Sequence, residues 1–389
     1  MIPWLRQRFN HHWTPAGYRR FLDLIEEGSG VATQFRHSET PVFLPSALVD
    51  RMARYGREMV EQLLANDRYR QDSEAAVPER YRVPNEAPAP LFVQADFGLD
   101  AQGEPKLVEI QGFPSLYAYQ PVMASCYRDA YGLDADLGAL PGGITIDEYH
   151  ALLRRAIVGD CDPAQVVLLE IDPDRQKTRC DFLVTERLFG VRAVDIRSIR
   201  RQGNRLFYDR DGRLTPIARI YNRAIMDELE RRAIDLPFDF RDDLRVEWAG
   251  HPNWFFRLSK FSLPYLCHKA APAAIFLDRV DSVADPERYV LKPLYSFAGL
   301  GVVVGPTAEE IAAVPAAQRS QYLLQERVDF TPVVETPAGP AKIEVRIMYI
   351  WIDQMRPVNT IVRMGRGAQM GVDFNKGFEW VGASAGFLA

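Results

Sequence analysis

Along FVQADFGLDAQGEPKLVEIQG (residues 92–112), apolar and polar side chains alternate on either side of a glycine-containing turn, the period-two pattern of two half-buried strands. Folding this stretch about Gln102-Gly103 sets Asp96 opposite Glu109 and Gln94 opposite Gln111, because each pair is equidistant from the turn. Directly opposed residues share a face. Gln94, Asp96, Glu109 and Gln111 therefore point to one side, and Val93, Ala95, Phe97, Val108 and Ile110 to the other. Upstream, SALVDRMARYGREMVEQLLAND carries Leu48, Met52, Met59, Val60 and Leu63 close to helical spacing. Downstream the pattern alternates: strand QVVLLEI, helix QKTRCDFLVTERLFG, strand RAVDI, a hairpin around DRDGR (209–213) and strand IARIYNRAI. That order predicts a small βαβ domain with a mostly parallel sheet. From about residue 272 the chain is strand-rich (YVLKPL, GVVVG, YLLQERV, KIEVRIMYIWI, RPVNTIVRMG), which predicts antiparallel pairing.

Clusters of Pro and Gly at GALPGG (138–143) and GHPNW (250–254) divide the chain into expected units 1–145, 146–250 and 251–389, with TPVVETPAGPA a loop inside the last. With 47 basic against 52 acidic residues and a net charge of -5, the chain lacks the polyelectrolyte footprint that nucleic acid or an anionic membrane requires. No apolar run approaches the ~20 residues of a membrane span. The start, MIPWLRQRFNHHW, has charges where a signal peptide needs its apolar segment, so a cytoplasmic location is expected. Cys126, Cys161, Cys180 and Cys267 are scattered without a CxxC pair and read as reduced, and the six histidines show no metal spacing.

Two stretches carry candidate chemistry. The opposed carboxylates of Asp96 and Glu109 repel unless a cation lies between them. A hard divalent ion held by Asp96, Glu109 and the amide of Gln111 would supply it, and a solvated face in a slightly shifted register would equally relieve the repulsion. In YVLKPLYSFAGLGVVVG (289–305), Lys292 ends a strand and Gly299 and Gly301 follow in a loop whose backbone N–H groups can approach phosphate. The loop runs into VVV, so it joins two strands; a Walker or dinucleotide loop would open a helix, and an ordinary hairpin turn remains open. YLLQERV (322–328) ends in Gln325 and Glu326, whose backbone and carboxylate suit an adenine edge. Asp96-Phe97-Gly98 spells a kinase motif, but it precedes the glycine loop and no HRD accompanies it.

Other residues stand on more even ground. Glu344 in KIEVRIMYIW suits a nucleotide ribose or a strand salt bridge, and Arg346, two residues on, shares its face. Arg223 closes the strand IARIYNR at the carboxyl edge where open α/β sheets bind ligands, as a carboxylate clamp or a surface arginine. Asn375 reads as a turn residue, and Trp254, Phe255 and Phe256 as packing at a domain interface.

Taken together, these residues resemble the ATP-grasp superfamily in its circularly permuted form, the eukaryotic glutathione synthetase and glutathionylspermidine synthetase group. The resemblance covers roughly residues 90–120 and 250–389. QADFGLDAQGEPKLVEIQGFP is similar to the metal-binding hairpin, with Gln94 where an arginine is common and Gln111 where asparagine is usual. HPNWFFRLSKFSLPYL resembles the segment bearing a first ATP lysine, here Lys260; Lys292-Pro293 with the glycine loop resembles the second. IVRMGRG and WVGASAGF are similar to a region with a substrate-facing arginine, Arg363, and a small-residue lid loop at Gly382 to Gly386.

The resemblance implies an α+β ATP-grasp fold with permuted strand order and an inserted small α/β substrate domain. It implies ATP and Mg2+ as cofactors, the metal on Asp96, Glu109 and Gln111. Lys260, Lys292, Ser296, Gly299 and Gly301 would meet the phosphates; Gln325, Glu326, Arg327, Val328 and Glu344 would meet the nucleoside. Lys292 and Arg363 would serve the chemistry, and Arg223 and Arg363 the substrate. The implied activity is ADP-forming ligation of a small carboxylate to an amine through an acyl phosphate, with no nucleic-acid or membrane partner and a homodimer as the expected assembly. A nucleotide-binding regulatory or assembly protein that has lost the chemistry is the alternative, motivated by Gln94 and Gln111. A small-molecule kinase is the third reading.

Overall fold

The computed structural model describes residues 1–296, 299–367, 369–375 and 377–389. Helices and five separate sheets are mixed along the chain, compatible with an α+β architecture. The central sheet has five antiparallel strands in the order Gly382–Ser384, Met355–Gly365, Lys342–Trp351, Phe92–Leu99 and Pro105–Gln111. One of its faces is apolar: Val93, Ala95, Phe97, Ile110, Val345 and Ile347 are buried with Met52, Met59, Val60 and Leu63 of the helix Ser46–Ala65. Here the alternation of the strands and the helical spacing meet in one core.

A second antiparallel sheet, the lysine sheet, orders Ala274–Phe276, Tyr322–Glu326, Tyr289–Pro293 and Val303–Val304. The strand-rich last third thus divides among three sheets, one of which takes in the hairpin from residues 92–111. In between, the strands Glu247–Ala249, Arg219–Asn222, Val166–Glu170 and Arg192–Asp195 form a wholly parallel sheet with the crossover helix Arg179–Phe189. A capping box on Thr145 and Glu148 starts the helix Ile146–Ile157 that leads into it. The hairpin expected at 209–213 turns at Asp211 and Gly212, both at positive φ (56° and 79°), and a third strand, Arg200–Gln202, widens it.

Two expectations give way. The acidic hairpin turns through the residues 100–104, held by Asp100 Oδ1 accepting from the N–H groups of Gln102 (3.0 Å) and Glu104 (2.9 Å). This five-residue loop pairs Phe97 with Leu107 while Asp96 pairs with Glu109, so Val108 is left as a bulge and Leu107 takes the core position expected for it. The segment expected as a lid is strand instead: residues 382–384 pair with the strand Met355–Gly365, and Gly386–Leu388 lies parallel to Val42–Leu44. Both pieces are buried, because small residues let the chain end pass beneath its neighbours. Among the described residues no helix is long and apolar enough to cross a membrane.

Candidate functional site

The polar face of the central sheet is built by register. One row across the strands sets Ile361, Arg346, Asp96 and Glu109 side by side; the next sets Met348, Gln94 and Gln111. Arg346 grips Asp96 bidentately, Nε to Oδ1 at 2.5 Å and Nη2 to Oδ2 at 2.6 Å. Its Nη1 donates to Gln94 Oε1 at 2.9 Å, and Nη2 lies 3.8 Å from Glu109 Oε1. Gln94 is oriented by its own Nε2, which donates to Ser115 O at 3.0 Å. With its amide oxygen turned inward, Gln111 accepts from Nη2 at 2.7 Å and from Nη1 at 3.1 Å. On the adjoining row Glu344 pairs with Arg363, whose Nη1 also lies 3.5 Å from Asp96 Oδ2.

Two lysines arrive from elsewhere in the chain. Lys292 reaches from the lysine sheet to Gln325 Oε1 (2.5 Å) and to the carbonyl of Val108 (3.0 Å). The bulge matters here: a residue out of ladder register leaves its carbonyl for another donor, and Lys292 takes it. Lys260, opening a 3-10 turn at Lys260–Tyr265, donates to Ser296 O at 2.6 Å and stands 3.4 Å from Glu109 Oε2. Burial alone would raise the Glu109 carboxyl, but Lys260, Arg346, Lys292 and Arg363 outweigh it and hold it well below the usual carboxylate range. Burial pushes the Lys292 ammonium down to about 8, against the pull of Glu109. Glu344 is raised, chiefly by burial and despite Arg363. In all, three carboxylates face four protein cations on one patch.

No protein-family model matches the chain, and no curated protein matches its sequence. Solved structures do match its shape, among them a glutathione synthetase-like effector (GSS30) from Globodera pallida in its apo form, with a TM-score of 0.59 at 12% identity over 99% of this chain and 98% of that one. The chain therefore has a glutathione synthetase-like fold.

Not every candidate reaches the patch. Asp96, Glu109, Gln111, Lys260, Lys292, Gln325, Glu344 and Arg363 converge. Ser296 adjoins them through its carbonyl, and its buried hydroxyl has no hydrogen-bond partner among the described residues. Gly299 and Gly301 adopt φ of +75° and +73°, left-handed positions open to glycine in a tight loop; residues 297 and 298 lie outside the described residues. Gln325 turns its side chain to Lys292 rather than outward; Glu326 is exposed and Arg327 pairs with Asp329 at 2.7 Å. Val328 beside them makes no contact with the patch among the contacts described. Arg223 is spent elsewhere: fully buried at the parallel sheet, it bonds Asp181 Oδ2 at 2.6 Å and lies over Phe182. Asn375 is buried and organises its loop, accepting from the N–H groups of Arg366 and Gly367. Trp254, Phe255 and Phe256 are core, as expected of packing residues.

A cleft of about 900 Å³ borders the same loop at Ser296, Leu300 and Gly301, among Phe256, Tyr265 and Phe276, and does not take in Lys292 or the hairpin carboxylates. The candidate site rests on the convergence of charged groups rather than on this cleft. Arg346 is the residue whose weight the sequence understated; its position two residues from Glu344, on a strand able to lie beside the hairpin, was the available signal. It also bears on the metal expected there. The expected ligands are assembled, but around a guanidinium, and no group of three or more His, Cys, Asp or Glu among the described residues is set to hold an ion. Both Asp96 oxygens are taken, so the set does not fit magnesium.

Proposed function

We propose that this chain is an ATP-dependent, ADP-forming carboxylate–amine ligase of permuted ATP-grasp type, acting on an amino acid, a peptide or a similar small carboxylate. The observation that supports it is the delivery of Lys260, Lys292 and Arg363 from separate segments onto the acidic hairpin, beside a glycine loop and an unpartnered serine hydroxyl. Residues 146–250, with their parallel sheet, form the substrate domain in this reading. Lys260, Lys292 and the amides of Gly299 and Gly301 hold the phosphates; Arg363, the least enclosed cation of the patch, orients the carboxylate. A carboxylate oxygen attacks the γ-phosphorus and ADP leaves; the amine then attacks the acyl carbon, releases phosphate and gives up a proton. No step is assigned to a metal on the hairpin.

Hydroxylamine replaces an unknown amine, so ATP, magnesium and pooled amino acids or short peptides should yield hydroxamate and ADP together. The product should vanish in Lys292→Ala. ATP binding without hydroxamate or ADP across broad carboxylate pools would instead favour the second reading, a nucleotide-dependent binding module. That reading draws on the same patch: Arg346 neutralises the carboxylates that the family's chemistry uses.

A further inference from the structure

We infer that Arg346 is the resident cation of the acidic hairpin, and that the pocket of Gln94, Asp96, Glu109 and Gln111 holds a guanidinium in place of a divalent metal ion. Arg346 points its N–H groups at these residues: Nε and Nη2 to Asp96, Nη1 to Gln94, and both terminal nitrogens to Gln111, with Glu109 nearby. A guanidinium offers five donors in a fixed plane, and here acceptors surround that plane on the sheet surface. An ion sharing Asp96 would displace this pairing or lie within contact distance of a positive charge, in a patch where protein cations already outnumber carboxylates.

The amides at the two departures from the family pattern then have a reason. An arginine at position 94 would set its positive head against Arg346 Nη1, where Gln94 Oε1 now accepts at 2.9 Å. A glutamine at both positions supplies neutral acceptors that complete the guanidinium's bonds without adding charge. Glutamine at 94 and arginine at 346 thus form one unit, with the positive charge on the strand neighbouring that of Gln94. This holds whether or not the chain turns nucleotide over.

The test uses the full chain without nucleotide. Manganese titration followed by electron paramagnetic resonance should show no stoichiometric binding to the native protein below millimolar concentrations, and EDTA should leave its melting temperature unchanged. Arg346→Met should bind one manganese per chain at least tenfold more tightly, and magnesium should raise the melting temperature of that variant alone. Gln94→Arg should melt well below the native protein, and Gln94→Arg combined with Arg346→Met should regain most of the loss. Tight manganese binding by the native protein that disappears in Glu109→Gln overturns the inference. So does an equal loss in Gln94→Arg with and without Arg346→Met. If Arg346→Met does not fold, the native titration and the EDTA melt decide alone.

Discussion

Lys292 carries opposed electrostatic demands within one side chain. Burial favours its neutral form and brings it to about 8, yet phosphate binding needs the charge. ATP affinity should therefore decline between pH 7 and 9 in calorimetry, and Lys292→Arg, charged throughout, should remove that decline. Lys292→Ala should weaken ATP at least tenfold, about 1.4 kcal/mol. The sign for stability runs the other way. Between about 8 and the unfolded value of 10.5 the unfolded chain holds the extra proton, so this group's contribution to stability rises with pH. Urea melts should show the native protein gaining on Lys292→Met across that window. Arg223 makes the contrasting case: its partner Asp181 is wholly buried, so Arg223→Ala leaves that carboxylate without a counter-charge, held only by the N–H groups of Leu116, Ala118 and Tyr119, and should cost about 3–5 kcal/mol. Hydroxamate formation from the carboxylate by the folded fraction should be unchanged, which separates a structural arginine from a substrate clamp.

Among elements, the Val108 bulge is the hinge of the site. It lets Leu107 enter the core while Glu109 and Gln111 stay beside Asp96 and Gln94, and it frees the carbonyl that Lys292 uses. Deleting Val108 makes the ladder regular, with Leu107 still opposite Phe97 and Glu109 still opposite Asp96, but removes the out-of-register carbonyl on which Lys292 is held. That variant should lose several degrees in melting temperature and its ATP binding together. The carboxyl-terminal segment shows the same dependence on context. Its small residues read as a lid, but the strands at 382–384 and 386–388 are hydrogen-bonded on neighbouring elements. Amides there should exchange slowly in deuterium exchange, where a lid would exchange fast. Gly382, at φ +123°, has no room for a side chain: an added Cβ would fall 2.6 Å from the carbonyl oxygen of Arg36. Gly382→Ala should destabilise by roughly 1–3 kcal/mol in denaturant melts.

For the whole molecule, the central sheet is composite: strands at 92–111 are completed by strands at 342–384. The expected units 1–145 and 251–389 thus share one sheet, and residues 251–389 expressed alone should show no cooperative melt. The parallel sheet lies wholly within residues 166–249. What the sequence alone determined was local. Period-two alternation set the hairpin faces and the opposition of Asp96 to Glu109; residue spacing marked the long helix; a lysine before a glycine loop marked the phosphate candidate. Each depends on neighbours a few residues apart, where backbone geometry leaves little choice. Only the tertiary structure decided which cation stands between the carboxylates, which carbonyl receives Lys292, and that Arg223 is buried. Those outcomes depend on residues up to 250 positions apart, as in the Arg346–Asp96 pair, brought together by sheet order rather than by any local pattern.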